Sequence, residues 1–200
     1  MKKFLVIAAM MVAAVSANAQ NAVGQWTIQP KAGLGMAAMT NWSNTKMTVA
    51  AVLGGEFEYQ YNPKVSFGGG LNFELAGTDL DDLGSVKDRS FTLGYITFPV
   101  VCNFYVYKNL ALKAGLQPGF LIHANYHEEN GNTTTDTKVT SNFNTFDLAL
   151  PIGVSYQYNR WVFDARYLLG LTNVNKNNHY YNDSSRNSVF YITAGYKFNL

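Results

Sequence analysis

Nine charged side chains fall at alternate positions inside otherwise apolar runs, where charge is least expected. They are Lys31, Glu56, Glu58, Glu74, Lys113, Asp147, Asp164, Arg166 and Lys197. A charge withdrawn from water needs a partner, because an unpaired one is strongly disfavoured or gives up its ionised form. Four cations against five carboxylates predict a nearly balanced interior network that fixes and plugs the fold. Arg166 is the expected hub, since a planar guanidinium holds two carboxylates at once. Asp164, two residues earlier on the same face, belongs beside it.

Other chemistry fits less well. Glu56 and Glu58 suggest paired acid–base carboxylates, but such pairs work by flanking a bound substrate, and nothing in the pattern marks a cleft. An esterase or acyltransferase needs a Ser or Thr nucleophile near a histidine. The three histidines, His123, His127 and His179, lie in or next to long polar links, and no Gly-x-Ser-x-Gly is present. His123 and His127 have a spacing that serves a metal on a helix, whereas here it runs from strand into loop. Asp79, Asp81 and Asp82 lack the glycine and spacing of a calcium loop. Gly68-Gly69-Gly70 has no following Lys-Ser/Thr or helix to cradle a phosphate. Asn41-Trp42-Ser43 matches a glycosylation sequon only formally. No catalytic residue, metal or cofactor is assigned.

The elements that position these charges are strands. Most of the 200 residues alternate at period two, the mark of strands with two unlike faces. Val49, Ala51, Leu53, Phe57, Tyr59 and Tyr61 share one face of a run over 47–61, with Glu56, Glu58 and Gln60 on the other. Runs at 25–39, 65–76, 90–106, 110–122, 145–158, 161–172 and 188–198 bring the expected count to eight strands. Short turns at Asn62-Pro63, Lys108-Asn109 and Asn159-Arg160 alternate with longer polar links near 40–46, 77–89, 123–144 and 173–187. Outer-membrane barrels have this asymmetry, with short periplasmic turns and longer outer loops. The expected fold is therefore all-β: an eight-stranded antiparallel up-and-down transmembrane barrel.

Alternation alone leaves open which face is apolar, and a secreted lipocalin-like barrel would reverse the two. The polar face decides, because it carries Gly33, Gly35, Gly54, Gly68, Gly70, Gly115, Gly119, Gly153, Gly170 and Gly195. A solvated face gains nothing from glycine, which weakens strands; the narrow lumen of a small barrel does. Tyr59, Tyr61, Phe104, Tyr107, Tyr156, Tyr158 and Trp161 cluster beside the short turns, as an interfacial girdle would.

Met1 to Ala19 is expected to be a cleaved signal peptide, leaving 20–200 as the barrel domain. Lys2 and Lys3 precede an apolar run from Phe4 to Val15, and Ala17-Asn18-Ala19 offers a small-residue cleavage site. The chain has 15 Lys and Arg against 13 Asp and Glu; loss of Lys2 and Lys3 makes it neutral, with no footprint for nucleic acid. Cys102 is the single cysteine, so no internal disulfide forms. It sits in an apolar stretch and reads as a small hydrophobe.

Lys31-Ala32-Gly33-Leu34 and Tyr95-Ile96-Thr97-Phe98-Pro99-Val100-Val101 are similar to the opening K-A-G-L and the Y-L-x-I-P-L-L strand of the PorT-like outer-membrane β-barrel proteins of Bacteroidetes. Ala165-Arg166-Tyr167 with Gly170-Leu171-Thr172-Asn173 is similar to A-R-Y-x-x-G-L-x-N, and Gly195-Tyr196-Lys197-Phe198 to the closing G-Y-K-F. The ending, through Asn199-Leu200, also looks like the signal read by the barrel-insertion machinery, although an aromatic is commoner at the last position. The resemblance implies an outer-membrane location and an eight-stranded barrel, and says little about activity. Partners expected are outer-membrane lipid, the insertion machinery, and an extracellular or envelope protein met by the long loops. A narrow channel for ions or small solutes, and a soluble periplasmic ligand-binding barrel, are the competing readings.

Overall fold

The computed structural model describes residues 21–40, 45–80, 86–130, 133–176 and 185–200. The signal-peptide expectation for 1–19, Asp81 and Asp82, and His179 lie outside them. Twelve strands follow in chain order: β1 (Trp26–Thr40), β2 (Thr45–Lys46), β3 (Thr48–Asn62), β4 (Val65–Leu80), β5 (Val86–Thr97) and β6 (Val100–Tyr107). Then come β7 (Leu110–Asn130), β8 (Thr133–Lys138), β9 (Phe146–Tyr158), β10 (Trp161–Gly170), β11 (Arg186–Tyr196) and β12 (Phe198–Asn199). The order β11-β10-β9-β7-β5-β4-β3-β1 closes on itself through the pairing of β1 with β11, all antiparallel. Closure leaves the barrel wall without an edge.

These segments make eight staves. The expected strand over 90–106 is two pieces, because Pro99 has no N–H to give the ladder. The sheet survives the break: Pro99 still accepts from Gly70 N at 3.0 Å, and Phe98 N donates to Pro118 O at 2.8 Å. β12 continues β11 along β1, so the last residues stay in the wall.

Short turns close one end. Asn62 Oδ1 accepts from Lys64 N and Val65 N at 2.8 and 2.9 Å, a side chain standing in for backbone. Asn159 adopts φ 54°, a left-handed conformation that asparagine tolerates better than most residues.

At the opposite end one expectation is corrected. The link over 123–144 is not a structureless loop: β7 runs on to Asn130 and returns as β8, pairing from Asn130↔Thr133 to Asn125↔Lys138. β7 extends ten residues past its last partner in β9, Phe120↔Phe146. At about 3.3 Å per residue that is roughly 30 Å of strand past its pairing with β9, still paired with β5 as far as Val86↔Asn130 on its other side.

The two faces are unlike throughout. Leu34, Val49, Leu53, Leu71, Val100 and Ile192 point outward and are more than half exposed. Cys102 is a free thiol on this same outer face. Inward, the residues nearest the short turns are polar, among them Thr27, Gln60, Ser66 and Asn103. Above the charges the lumen turns apolar, with Ala37, Ala50, Val52, Ala76, Ala149, Leu168, Val189 and Tyr191 in contact. A second cluster of Met39, Leu93, Tyr95, Leu121, Ala124, Phe143 and Val174 caps the long-loop end. The expectation was a lumen plugged by charge. The loop residues Phe143 and Val174 change it, by folding over the mouth where an apolar core can exclude water.

Candidate functional site: the charged lumen

Charges gather between the polar floor and the apolar cap. Their positions follow from period two: Lys31 on β1, Glu56 and Glu58 on β3, Lys113 on β7, Asp164 and Arg166 on β10 and Lys197 behind β11 all take inward places. Arg166 lies at the centre. Its Nη1 and Nη2 donate to the two oxygens of Glu56 at 2.8 and 3.4 Å, while Nε and Nη2 donate to Asp164 at 3.2 and 3.0 Å. Glu56 also meets Lys31 Nζ at 2.5 Å and Lys113 Nζ at 3.9 Å, and Lys113 reaches Asp164 at 2.6 Å. Each group is buried, so the attractions act at low effective dielectric and the desolvation cost is correspondingly large.

A second ion pair sits nearer the floor. Lys197 Nζ donates to Glu58 Oε2 at 2.8 Å and to Gln157 Oε1 at 3.0 Å. Glu58 Oε1 further accepts from Ser66 Oγ at 2.7 Å and Tyr105 Oη at 2.6 Å. Tyr105 was missed in the sequence, where tyrosines read as girdle or strand formers; its only signal is an inward place between Phe104 and Val106. Removing its hydroxyl leaves a charged acceptor short of a donor, worth roughly 1.5–3 kcal/mol. Tyr105→Phe is expected to lower the denaturant midpoint of the folded barrel accordingly, followed by its heat-modifiable gel mobility.

The structure does not bring all nine charges into one network. Among the described residues, Glu74 and Asp147 have no cation in ion-pair range, so four cations meet three carboxylates: Glu56, Glu58 and Asp164. Glu74 is held by neutral donors, Thr97 Oγ1 at 2.9 Å and Gln117 Nε2 at 3.1 and 3.2 Å. Asp147, half-buried, accepts from Thr172 Oγ1 at 2.6 Å and Asn187 Nδ2 at 2.7 Å. Both line a small cavity with Tyr95 and Leu168, under the apolar cap. Stagger is the reason. Alternation assigns a face, but height along the barrel depends on register around the ring, and Glu74 and Asp147 come out above the arginine.

The narrowness that calls for glycine is visible at Gly195. A Cβ there would lie 2.5 Å from Gln29 Nε2, so the bare backbone gives the glutamine its room. His123 stacks on Phe73 with ring centroids 6.5 Å apart. No group of three or more His, Cys, Asp or Glu suited to a metal occurs among the described residues.

An apolar exterior around a charged, closed interior is the inverse of a water-soluble barrel, and it decides which relatives matter. The model of the outer membrane protein beta-barrel domain matches residues 18–176. The chain belongs to that family. The barrel thus lies in the outer membrane, with its apolar belt against lipid and its long-loop end outside. Among solved structures, Ail of Yersinia pestis, crystallised with the heparin analogue sucrose octasulfate, is similar at a TM-score of 0.51 and 14% identity. The alignment covers 88% of this chain and all of that one. Neisserial surface protein A aligns at a TM-score of 0.51 and 15% identity over 86% of this chain and 97% of its own. At such identities the likeness is one of fold. No curated protein sequence matches the chain.

Proposed function

We propose that this barrel is a non-conducting surface protein, whose lumen is plugged and whose outer strands meet a partner outside the cell. The observation that carries the reading is a pair of seals in series below a sheet that continues outward. The Arg166 layer fills the middle of the lumen, the Phe143 and Val174 cap closes its mouth, and β5, β7 and β8 rise beyond both. An eight-stranded barrel leaves an interior that side chains can fill. The nine charges serve as register and plug in this reading, and no residue acts catalytically: Glu56 and Glu58 are each tied to cations, and Glu74 and Asp147 are held by neutral donors under the apolar cap. The four PorT-like motifs, in order along the chain, support placing it with the PorT-like barrels of Bacteroidetes; a role in type IX secretion is not carried over with the fold. The sulfated ligand of Ail does not transfer either. The outer segments at 40–46, 77–89, 123–144 and 173–187 hold six Lys and Arg against eight Asp and Glu, a poor surface for a polyanion.

Two measurements test this. Purified barrel refolded into planar bilayers is expected to stay electrically silent. A photo-crosslinking residue placed at Thr137 on intact cells is expected to give discrete protein adducts, absent when it is placed at lipid-facing Leu53. Steady conductance that changes with Arg166→Ala would make the lumen a pathway and replace this reading with the narrow channel.

A further inference from the structure

The outward sheet ends in an edge whose polarity can be worked out residue by residue. Val139 N donates to Ala124 O at 2.9 Å, so Ala124↔Val139 is a hydrogen-bonded pair. In an antiparallel ladder such pairs alternate with non-bonded ones. Tyr126↔Thr137, Glu128↔Thr135 and Asn130↔Thr133 are therefore bonded pairs as well. Glu129↔Thr134, His127↔Asp136 and Asn125↔Lys138 are the others. It follows that Thr134, Asp136 and Lys138 turn their backbone N–H and C=O away from β7. Among the described residues β8 pairs with β7 alone.

We infer that this edge of β8 is a docking site for an extended polypeptide, which adds to the sheet as a further antiparallel strand. The inference rests on the surface-interaction reading above and names the class of partner. Three features of the edge select the occupant. Its recognition groups are backbone donors and acceptors at strand spacing, which an extended peptide matches and a sugar or lipid does not. Natural edges are blunted by proline, bulges or charge; β8, Thr-Thr-Thr-Asp-Thr-Lys, has four β-branched residues and no Pro or Gly, and its two charges, Asp136 and Lys138, are of opposite sign. Thr135, Thr137 and Lys138 are exposed, so the partner segment is polar, not an apolar anchor. β8 runs toward the membrane, and the antiparallel partner must run away from it. A second copy in the same membrane presents its own β8 in the same sense, giving only the weaker parallel pairing. The occupant is thus a different chain.

The probe is a synthetic, fluorescently labelled peptide, His-Ala-Asn-Tyr-His-Glu-Glu-Asn, the sequence of residues 123–130, of which 125–130 form an antiparallel ladder with the other edge of β8. In detergent-folded full-length barrel, the amides of Thr134, Asp136 and Lys138 are expected to exchange fast and those of Thr135 and Thr137 slowly. Added peptide is expected to slow the fast set. Asp136→Pro removes one outward donor and leaves the β7 ladder intact, and is expected to weaken peptide binding at least tenfold with unchanged heat-modifiable mobility. Asp136→Asn is expected to bind like the parent, separating the lost N–H from the lost charge. Slow exchange at Thr134, Asp136 and Lys138 in the free protein would mean that the chain covers its own edge, and would overturn the inference. Peptide binding unaffected by Asp136→Pro would overturn it too. If adducts at Thr137 persist on cells while either of these results is found, the surface role stands and docking proceeds through side chains.

Discussion

Glu56→Gln is expected to be the most costly single substitution in the lumen, more so than loss of the arginine it binds. Glu56 faces three cations, with Lys31 at 2.5 Å, Arg166 at 2.8 Å and Lys113 at 3.9 Å. Its neutralisation leaves four buried cations against two carboxylates, and breaking one side of a buried pair costs roughly 3–5 kcal/mol. Arg166→Met removes more hydrogen bonds, yet it leaves three cations against three carboxylates, each able to keep a partner. Charge balance outweighs bond count here, because an uncompensated charge at low dielectric costs more than a neutral donor left unsatisfied. The double variant Glu56→Gln/Arg166→Met is expected to cost less than the sum of the singles. Urea unfolding from lipid vesicles, read by tryptophan fluorescence and gel mobility across the four proteins of the cycle, measures the coupling. A Glu56→Gln barrel as stable as the parent would show that the network is not what holds the register.

How much of this was legible in the sequence follows from what is local and what is not. The face of a residue is local, so period two placed Lys31, Glu56, Lys113, Asp164, Arg166 and Lys197 inward without a structure. Height is not local. It depends on the stagger of each strand against its neighbours, and so Glu74 and Asp147 were grouped with an arginine that lies below them. The outward extension was hidden for a different reason. Past Ala124 the segment is polar at nearly every position, so its sequence shows no alternation, and a strand without alternation reads as a polar loop. The apolar cap was hidden because Phe143 and Val174 are single apolar residues in polar links, and only the closed ring shows that they fold over Leu93 and Leu121. Tyr95, Tyr105 and Tyr191 face inward for the same reason that they were hard to place: an apolar body with a polar tip suits either face.

Leu53→Arg provides the sharpest discrimination between a barrel in lipid and one in water. Leu53 is 64% exposed on the outer face, between Ala32 on β1 and Phe73 on β4, well inside the apolar belt. In a soluble barrel a leucine so exposed is replaced by arginine at a change of about 0.5 kcal/mol or less. In a bilayer an arginine near the midplane of a barrel's outer face costs about 2–4 kcal/mol, falling to about 1 or less toward the interfaces. The expected result is a loss in that upper range for Leu53→Arg, measured by urea refolding into vesicles, and a small one for Trp26→Arg at the periplasmic rim. The contrast within one protein matters more than either number, since both residues are about half exposed or more, and Trp26→Arg is expected to cost little even though it also gives up the contact with Tyr59, ring centroids 5.0 Å apart. Equal and negligible effects at the two positions would place the outer face in water, reverse the meaning of its apolar belt, and return the charged lumen to the role of an ordinary core.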